Sequence, residues 1–129
     1  MLGLTIRWSL EGAPEGVEAE LASFVAETSH ARFTGMAGLR WKTWRMVRGE
    51  WLEGSYVFAS SEAREEFQRT FTEGAADAPG SRIIGSPPIL IEACDVVASI
   101  PIGSDTESLN AAVATGISLY EVARLRREA

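Results

Sequence analysis

The segment Gly38–Ser60 constrains the fold of this chain more than any other stretch. It contains two apolar and aromatic runs of strand length, joined by the short connection at residues 48–50. Such runs around a glycine-containing connection predict a β-hairpin. Three of the four tryptophans lie in it. Period-2 alternation predicts Leu39 and Trp41 on one face of its first strand and Lys42 and Trp44 on the other, and neither face is clearly polar. We therefore expect helices to cover one face and a second sheet, from another copy of the chain, to cover the other.

Periodicity elsewhere predicts the elements that would complete the sheet. Residues 2–10 alternate as a half-buried strand, and residues 14–29 carry apolar side chains at helical spacing. Ser60 and Ser61 can cap a second helix, and residues 81–99 are rich in β-formers, with the main fourth strand at 89–97. The order β-α-β-β-α-β predicts an α+β, ferredoxin-like fold with both helices on one face of the sheet.

A third helix is predicted outside this unit. Residues 104–107 (SDTE) match a capping box, and an apolar stripe at helical spacing follows, so we expect a helix over about residues 106–127. We predict a ferredoxin-like domain at 1–99 and a helical extension at 100–129. The bare sheet face predicts a homodimer that closes through its sheets, as in a dimeric α/β barrel.

Composition narrows the classes of function. The chain has 129 residues, with 12 basic and 18 acidic side chains and a net charge of −6, which disfavours nucleic acid as a partner. A single cysteine, Cys94, and a single histidine, His30, exclude an internal disulfide and a multi-thiolate or multi-histidine metal site. No apolar run approaches the roughly 20 residues of a membrane span, and the first residues do not resemble a secretion signal. We expect no metal, no membrane contact and a cytoplasmic location.

The hairpin carries a resemblance to a known family. Residues 38–44 (GLRWKTW), the strand 54–58 (GSYVF) and the Ser-Glu-Ala helix start at 61–63 resemble the YdhR-type monooxygenases, over about residues 2–98. These belong to the dimeric α/β-barrel superfamily of antibiotic-biosynthesis monooxygenases. The resemblance implies a barrel-forming dimer with a pocket between sheet and helices. It also implies oxygenation of an aromatic substrate without metal, flavin or other cofactor.

The tail resembles a different family. Residues 100–103 (IPIG), 107–110 (ESLN), 112–114 (AVA) and 119–121 (LYE) are similar to the final motif of SpoU-type RNA 2′-O-ribose methyltransferases. In that family the motif helps to bind S-adenosylmethionine and builds a knotted dimer interface. The upstream Asn/Arg motif is not found here, and the chain leaves no room for the parallel sheet. The tail is therefore interpreted as a dimerisation helix, a fusion remnant or an added segment.

Candidate site residues come mainly from the hairpin and the end of the first helix. His30 is a candidate general base, because a histidine pKa lies near neutrality, with a surface or capping role as the alternative. Arg40 or Lys42 would hold an anion. The alternative for these two cations, and for Arg45 on the same strand, is to pair with Glu53 across the hairpin. Aromatic and cationic side chains are the predicted substrate-binding set, with the core or dimer interface as the alternative for the aromatic ones. This set comprises Trp8, Phe33, Arg40, Trp41, Lys42, Trp44 and Tyr56.

These observations favour a cofactor-independent monooxygenase that acts on a small aromatic or hydrophobic compound. A non-catalytic, ligand-binding or stress-associated dimer with the same pocket is the alternative. Haem degradation is weakened as a third hypothesis, because the only asparagine, Asn110, lies in the tail. A fragment related to SpoU RNA methyltransferases is the remote alternative.

Overall fold

The computed structural model describes residues 1–95, together with residues 124 and 126. The chain divides into two compact units, Met1–Val97 and Ala98–Ala129. In the second unit, Arg124 and Arg126 are helical, and the rest of the predicted tail helix lies outside the described residues. The predicted domain boundary at residues 99 and 100 stays a prediction.

The first unit alternates strands and helices along the chain. In order, its elements are β1 (Gly3–Ser9), α1 (Val17–Phe24), α2 (His30–Phe33), β2 (Leu39–Val47), β3 (Trp51–Phe58), α3 (Ser61–Glu73), α4 (Pro79–Ile84) and β4 (Leu90–Cys94). A π-helical turn, Val25–Ser29, continues α1 directly into α2, and a 3-10 turn, Ala75–Asp77, separates α3 from α4. The predicted first helix therefore extends to Phe33.

The strands form one antiparallel sheet in the order β2-β3-β1-β4. The hairpin of β2 and β3 is present, and β1 pairs with both β3 and β4. The α+β, ferredoxin-like fold predicted from the sequence is confirmed. The structure is that of a single chain, so the dimer stays a prediction.

The hydrophobic core lies between the helices and one face of this sheet. Alternation along β1 places Leu4, Ile6 and Trp8 on that face, where they are buried with Val17 and Leu21 of α1. Aromatic rings also pack in this core. The rings of Trp8 and of Phe71 in α3 meet edge to face, with their centroids 6.1 Å apart. The opposite face carries the other half of each strand, including Arg7, Glu53 and Arg45, which are register partners across three strands.

The predicted β-rich segment at 81–99 is wrong in its first part. Residues 79–84 form α4, with Pro79 in its first turn and Gly85 after its end at φ +85°, a conformation that favours glycine. The Trp8 indole Nε1 donates a hydrogen bond of 2.9 Å to Ser81 Oγ, which fixes this short helix on the core. The fourth strand is correspondingly shorter than predicted, at Leu90–Cys94.

A β-bulge changes the faces predicted for the start of β2. The pairing shifts between Leu39, which lies opposite Phe58, and Trp41, which lies opposite Val57. Strict alternation had placed Leu39 and Trp41 on one face, and the extra residue, Arg40, separates them. From Lys42 onward the predicted alternation holds, with Lys42 opposite Tyr56.

Candidate functional site

A pocket of about 310 Å³ lies between the end of the first helical run and the edge strand β2. We call it the Lys42 pocket. It is lined by Val25, Ser29, His30, Phe33, Thr34, Gly35, Leu39, Arg40, Trp41, Lys42 and Trp44. The lining combines aromatic side chains with two basic ones, Arg40 and Lys42, and the histidine. This composition suits a ligand that has both a flat apolar part and an anionic part.

Ser29 connects the helix to the strand at the centre of this pocket. Its side chain is 1% exposed, and its hydroxyl oxygen accepts a hydrogen bond of 3.0 Å from Lys42 Nζ and one of 2.8 Å from Trp44 Nε1. Ser29 ends the π-helical turn, and such turns are frequent at functional sites because they change which side chains face inward. Both partners point from the core face of β2.

Aromatic rings surround the amine of Lys42. Its Nζ lies 3.6 Å from the ring centroid of Phe33, 3.7 Å from that of Trp44 and 5.1 Å from that of Tyr56. Burial, together with the nearby positive charge of Arg32, lowers the pKa of Lys42 from 10.5 to about 6. Ring faces attract a cation, but here they do not replace the hydration that the ammonium loses. The amine is therefore mostly neutral at pH 7.

The glycine at position 54 lets the ring of Trp44 sit against the sheet. Gly54 is the register partner of Trp44. A Cβ at this position would lie 3.2 Å from the Trp44 ring and 3.1 Å from atoms of Tyr56. The absence of a side chain therefore brings Trp44 close to the backbone of β3 and sets the floor of the aromatic enclosure around Lys42.

Most of the predicted site residues meet in this pocket. His30 and five members of the predicted substrate-binding set line it: Phe33, Arg40, Trp41, Lys42 and Trp44. His30 and Arg40 are exposed at its edge, and Trp41 is 40% exposed. The roles assigned to these residues from the sequence stay predictions.

Trp8 and Tyr56 lie elsewhere. Each is 1% exposed and belongs to the hydrophobic core rather than to the lining of the Lys42 pocket. Burial raises the pKa of Tyr56 well above its ordinary value, although the charge of Arg32 opposes this slightly. Tyr56 contributes to the site indirectly, because its ring forms one side of the enclosure around Lys42.

Sequence reasoning missed Ser29. A lone serine near the end of an amphipathic helix gives no signal of its own, because the same residue is common at helix ends and on helix surfaces. Its position depends on the π-helical turn, which hydrophobic periodicity does not reveal. A signal that could have helped is the pair Lys42 and Trp44, two polar-tipped side chains on a strand face that otherwise enters the core.

A second polar cluster lies on the opposite face of the sheet. Glu53, 1% exposed, accepts hydrogen bonds from Arg7, at 2.8 Å and 2.5 Å, and from Arg45. Both guanidinium groups also lie over the Trp51 ring. The predicted pairing with Glu53 is thus confirmed for Arg45, whereas the amine of Lys42 bonds to Ser29 instead. Burial alone would raise the pKa of Glu53, but the hydrogen bonds from Arg45 and Arg7 outweigh it and hold that pKa below its ordinary value.

The described residues include neither a metal-ligand cluster nor a membrane-spanning helix. No group of three or more His, Cys, Asp or Glu side chains among them is placed to hold a metal ion. None of their helices is long and apolar enough to cross a bilayer.

Curated relatives of this chain carry the names of RNA methyltransferases. It is 34% identical over 108 residues to the 23S rRNA (guanosine-2′-O-)-methyltransferase RlmB of Coxiella burnetii, and 34% identical over 112 residues to RlmB of Ralstonia nicotianae. Each alignment covers 84% of this chain, but only 39% and 42% of the respective relative. A shorter match, 52% identical over 50 residues, is to an uncharacterized tRNA/rRNA methyltransferase of Mycolicibacterium vanbaalenii, covering 39% of this chain and 16% of that protein. The chain thus spans about two fifths of the length of the two RlmB relatives.

No family model matches the chain. Among solved structures, it is similar to NE2512 of Nitrosomonas europaea, a protein of unknown function. The TM-score is 0.56 at 24% sequence identity, covering 79% of this chain and 95% of that one. At this level of identity the likeness supports the α+β fold alone.

These relatives overturn the function predicted from the sequence. The prediction of a YdhR-type monooxygenase, and with it of an oxidoreductase, is wrong, because the curated relatives over most of the chain are named methyltransferases. The expectation of a small hydrophobic or aromatic ligand with no nucleic acid is wrong for the same reason. The hairpin motif indicates a sheet that carries aromatic side chains, and proteins of unrelated function can share such a sheet.

Proposed function

We propose that this chain acts on RNA and takes part in methylation of a guanosine ribose at its 2′-oxygen. One observation carries the proposal, namely the 34% identity over 108 residues to a 23S rRNA (guanosine-2′-O-)-methyltransferase. The resemblance of residues 100–129 to the final SpoU motif supports it independently of the hairpin. A cytoplasmic location is part of the same proposal.

The Lys42 pocket is the proposed place of RNA contact on the first unit. Aromatic faces and cations in one groove are what proteins use to hold unpaired nucleotides, because bases stack on rings and phosphates pair with cations. Trp41 and Arg40 lie exposed where an approaching strand would meet them. Because the net charge of −6 repels RNA from the protein as a whole, RNA binding requires cationic side chains concentrated at one site.

The same residues do not fit the methyl donor. S-adenosylmethionine carries a positive sulfonium, and the exposed Arg40 and the nearby Arg32 would repel it in this pocket. Within residues 1–95, the pocket therefore suits the RNA rather than the donor.

The proposal is tested by incubating the whole chain with labelled S-adenosylmethionine and fragments of 23S rRNA. We expect label in RNA, with 2′-O-methylguanosine identified by mass spectrometry after digestion. Absence of both methyl transfer and RNA binding at low salt would overturn the proposal.

A matched pair of variants tests the place of contact. Arg40→Ala should weaken RNA binding and reduce the dependence of log affinity on log salt by about 1, as expected for one lost phosphate contact. Arg48→Ala, which removes an exposed arginine from the hairpin turn, is the control and should leave binding unchanged. Equal effects of the two substitutions would place the contact elsewhere.

A further inference from the structure

The amine of Lys42 lies against aromatic ring faces, which attract a cation, yet it is mostly neutral at pH 7. Two ring faces lie within 3.7 Å of it, and Ser29 Oγ lies 3.0 Å away. Within residues 1–95, no carboxylate forms an ion pair with it. Lys42 is half-buried, and partial burial of an ammonium is already costly unless an opposite charge pairs with it. Among the described residues, the amine of Lys42 thus lacks an acidic counter-charge.

We propose that a phosphodiester of RNA supplies this counter-charge, bound in the Lys42 pocket by Lys42 and Arg40, and that Lys42 takes up a proton when the phosphate enters. The identity of the ligand rests on the proposed function. The proton uptake and the residues involved follow from the site itself.

The groups that face Lys42 make an anion the expected ligand. They comprise His30 and Arg32 of α2, Arg40 of β2 and Tyr56 of β3, none of which is acidic. Glu27 shares the π-helical turn with Ser29 but does not line the pocket. An incoming phosphate would meet positive charge on Arg40 and would raise the pKa of Lys42, because an opposite charge within about 4–6 Å favours the charged form.

Ser29 can serve both protonation states. A hydroxyl is both a donor and an acceptor, so it accepts a hydrogen from the ammonium and can offer its own hydrogen to the neutral amine. Trp44 Nε1 holds the hydroxyl oxygen in place at 2.8 Å in either state. The proton can therefore arrive without any rearrangement of the buried side chains.

The size of the pocket limits the ligand to a small part of an RNA strand. Its volume of about 310 Å³ is at the lower end of ligand sites, which span roughly 300–1,000 Å³. One phosphate with its ribose, and a base against an adjacent ring, is the portion that this space suits. The pocket would thus fix the register of a strand rather than read a long sequence.

Calorimetry with the whole chain and the dinucleotide guanylyl-(3′→5′)-guanosine tests the proposal. A phosphodiester does not titrate between pH 5.5 and 8.5, so any proton taken up belongs to the protein. Titrations in two buffers of different ionisation enthalpy should show close to one proton bound per complex at pH 7.5, and only about a quarter of a proton at pH 5.5, where most of the free amine is already protonated. Affinity should fall up to about tenfold per pH unit above pH 6.5, until the pKa of the complex is reached.

Two ligands and two variants complete the experiment. Guanosine alone, and the dinucleotide with an uncharged methylphosphonate linkage, should bind more weakly and without proton uptake. Lys42→Met should abolish the proton uptake, whereas Arg48→Met should retain it. The measurement on the unaltered chain decides the question even where the Lys42 variant fails to fold.

The outcomes separate this inference from the proposed function. Binding of the dinucleotide without proton uptake, or no binding of it, would overturn the inference, while RNA methylation would still uphold the proposed function. Proton-coupled binding of the dinucleotide, with neither methyl transfer to rRNA nor binding of rRNA at low salt, would support the inference and overturn the proposed function.

Discussion

At the scale of single residues, the ring faces around Lys42 and its burial have opposite effects on its pKa. The ring faces favour an ammonium, and burial disfavours it, with burial the stronger because the pKa lies near 6. The unfolded chain binds a proton at Lys42 up to about pH 10.5, whereas the folded chain releases it above about pH 6.

Folding should therefore become more favourable with rising pH in the window between these two values. The unfolded state binds more protons there, so the free energy of unfolding gains up to ~1.4 kcal/mol per pH unit from this one group. Lys42→Met has no proton to release and should remove that slope. Urea denaturation from pH 6 to pH 10 measures it, with Arg48→Met as the control that keeps the slope. Parallel pH profiles for the unaltered chain and Lys42→Met would contradict the assignment.

Ser29 provides a second prediction at this scale. Ser29→Ala removes the acceptor shared by Lys42 and Trp44 and leaves the Trp44 N–H without it in a half-buried position. We expect a loss of about 1–3 kcal/mol in the free energy of unfolding, typical for an unsatisfied buried donor. Ser86→Ala, at an exposed serine, should change it by less than about 0.5 kcal/mol. A similar small effect at both positions would show that water replaces the Ser29 hydroxyl.

At the scale of elements, Glu53 joins three strands through one carboxylate. Arg7 lies on β1, Glu53 on β3 and Arg45 on β2, in register with one another. Glu53→Gln keeps the shape but removes the charge that both guanidinium groups share. We expect a loss of about 1–3 kcal/mol at pH 7, limited by solvent, because Arg7 and Arg45 side chains are 36% and 59% exposed.

The pH dependence of this loss has a definite sign. The pKa of Glu53 is lowered from 4.5 in the folded chain, so its stabilisation is present above pH 4.5 and disappears as the pH falls through the lower folded value. The gap between the unaltered chain and Glu53→Gln should therefore close in acid, as followed by urea denaturation from pH 7 to pH 3. Glu50→Gln, at an exposed turn position, should show no gap. A gap of constant size would show that shape rather than charge is responsible.

The elements also show what the sequence was able to predict. The hairpin follows from period-2 alternation around residues 48–50, and the cap of α3 follows from Ser60, whose hydroxyl accepts the Ala63 N–H. The helix α4 was missed because its residues, Ser-Arg-Ile-Ile, favour a strand locally. Tertiary context decides its structure, through the Trp8–Ser81 hydrogen bond and the glycine after its end. Local preference cannot anticipate a partner 73 positions away along the chain.

The candidate site was predictable to a similar extent. Alternation along β2 placed Lys42 and Trp44 on one face, and the end of the first helix brought His30 and Phe33 beside them. The bulge at Arg40 and the π-helical turn before His30 were not visible, because each inserts one residue into a regular pattern without a glycine or proline to mark it. These irregularities are what shape the pocket.

At the scale of the whole molecule, the net negative charge opposes binding of the proposed partner, RNA. A protein with a net charge of −6 repels RNA at long range, and the attraction has to come from short-range contacts. Binding should therefore be weak in affinity and modest in salt dependence compared with that of basic RNA-binding domains. Proton uptake at Lys42 would add one positive charge at the place where it is needed.

The division of the chain into two units leads to a prediction about the whole molecule. Residues 1–97 contain the sheet, its helices and the core described above, so we expect this portion alone to unfold cooperatively in urea. It should keep the pH-dependent stability assigned to Lys42 and bind the guanosine dinucleotide as the whole chain does. The sequence alone favoured a dimerisation helix, a fusion remnant or an added segment for the tail. With RNA methylation now proposed, we instead expect binding of S-adenosylmethionine to be measurable by calorimetry with the whole chain and to be lost from residues 1–97. An unfolded 1–97 fragment would show that the second unit completes the core, and donor binding by a folded fragment would place that site in the first unit.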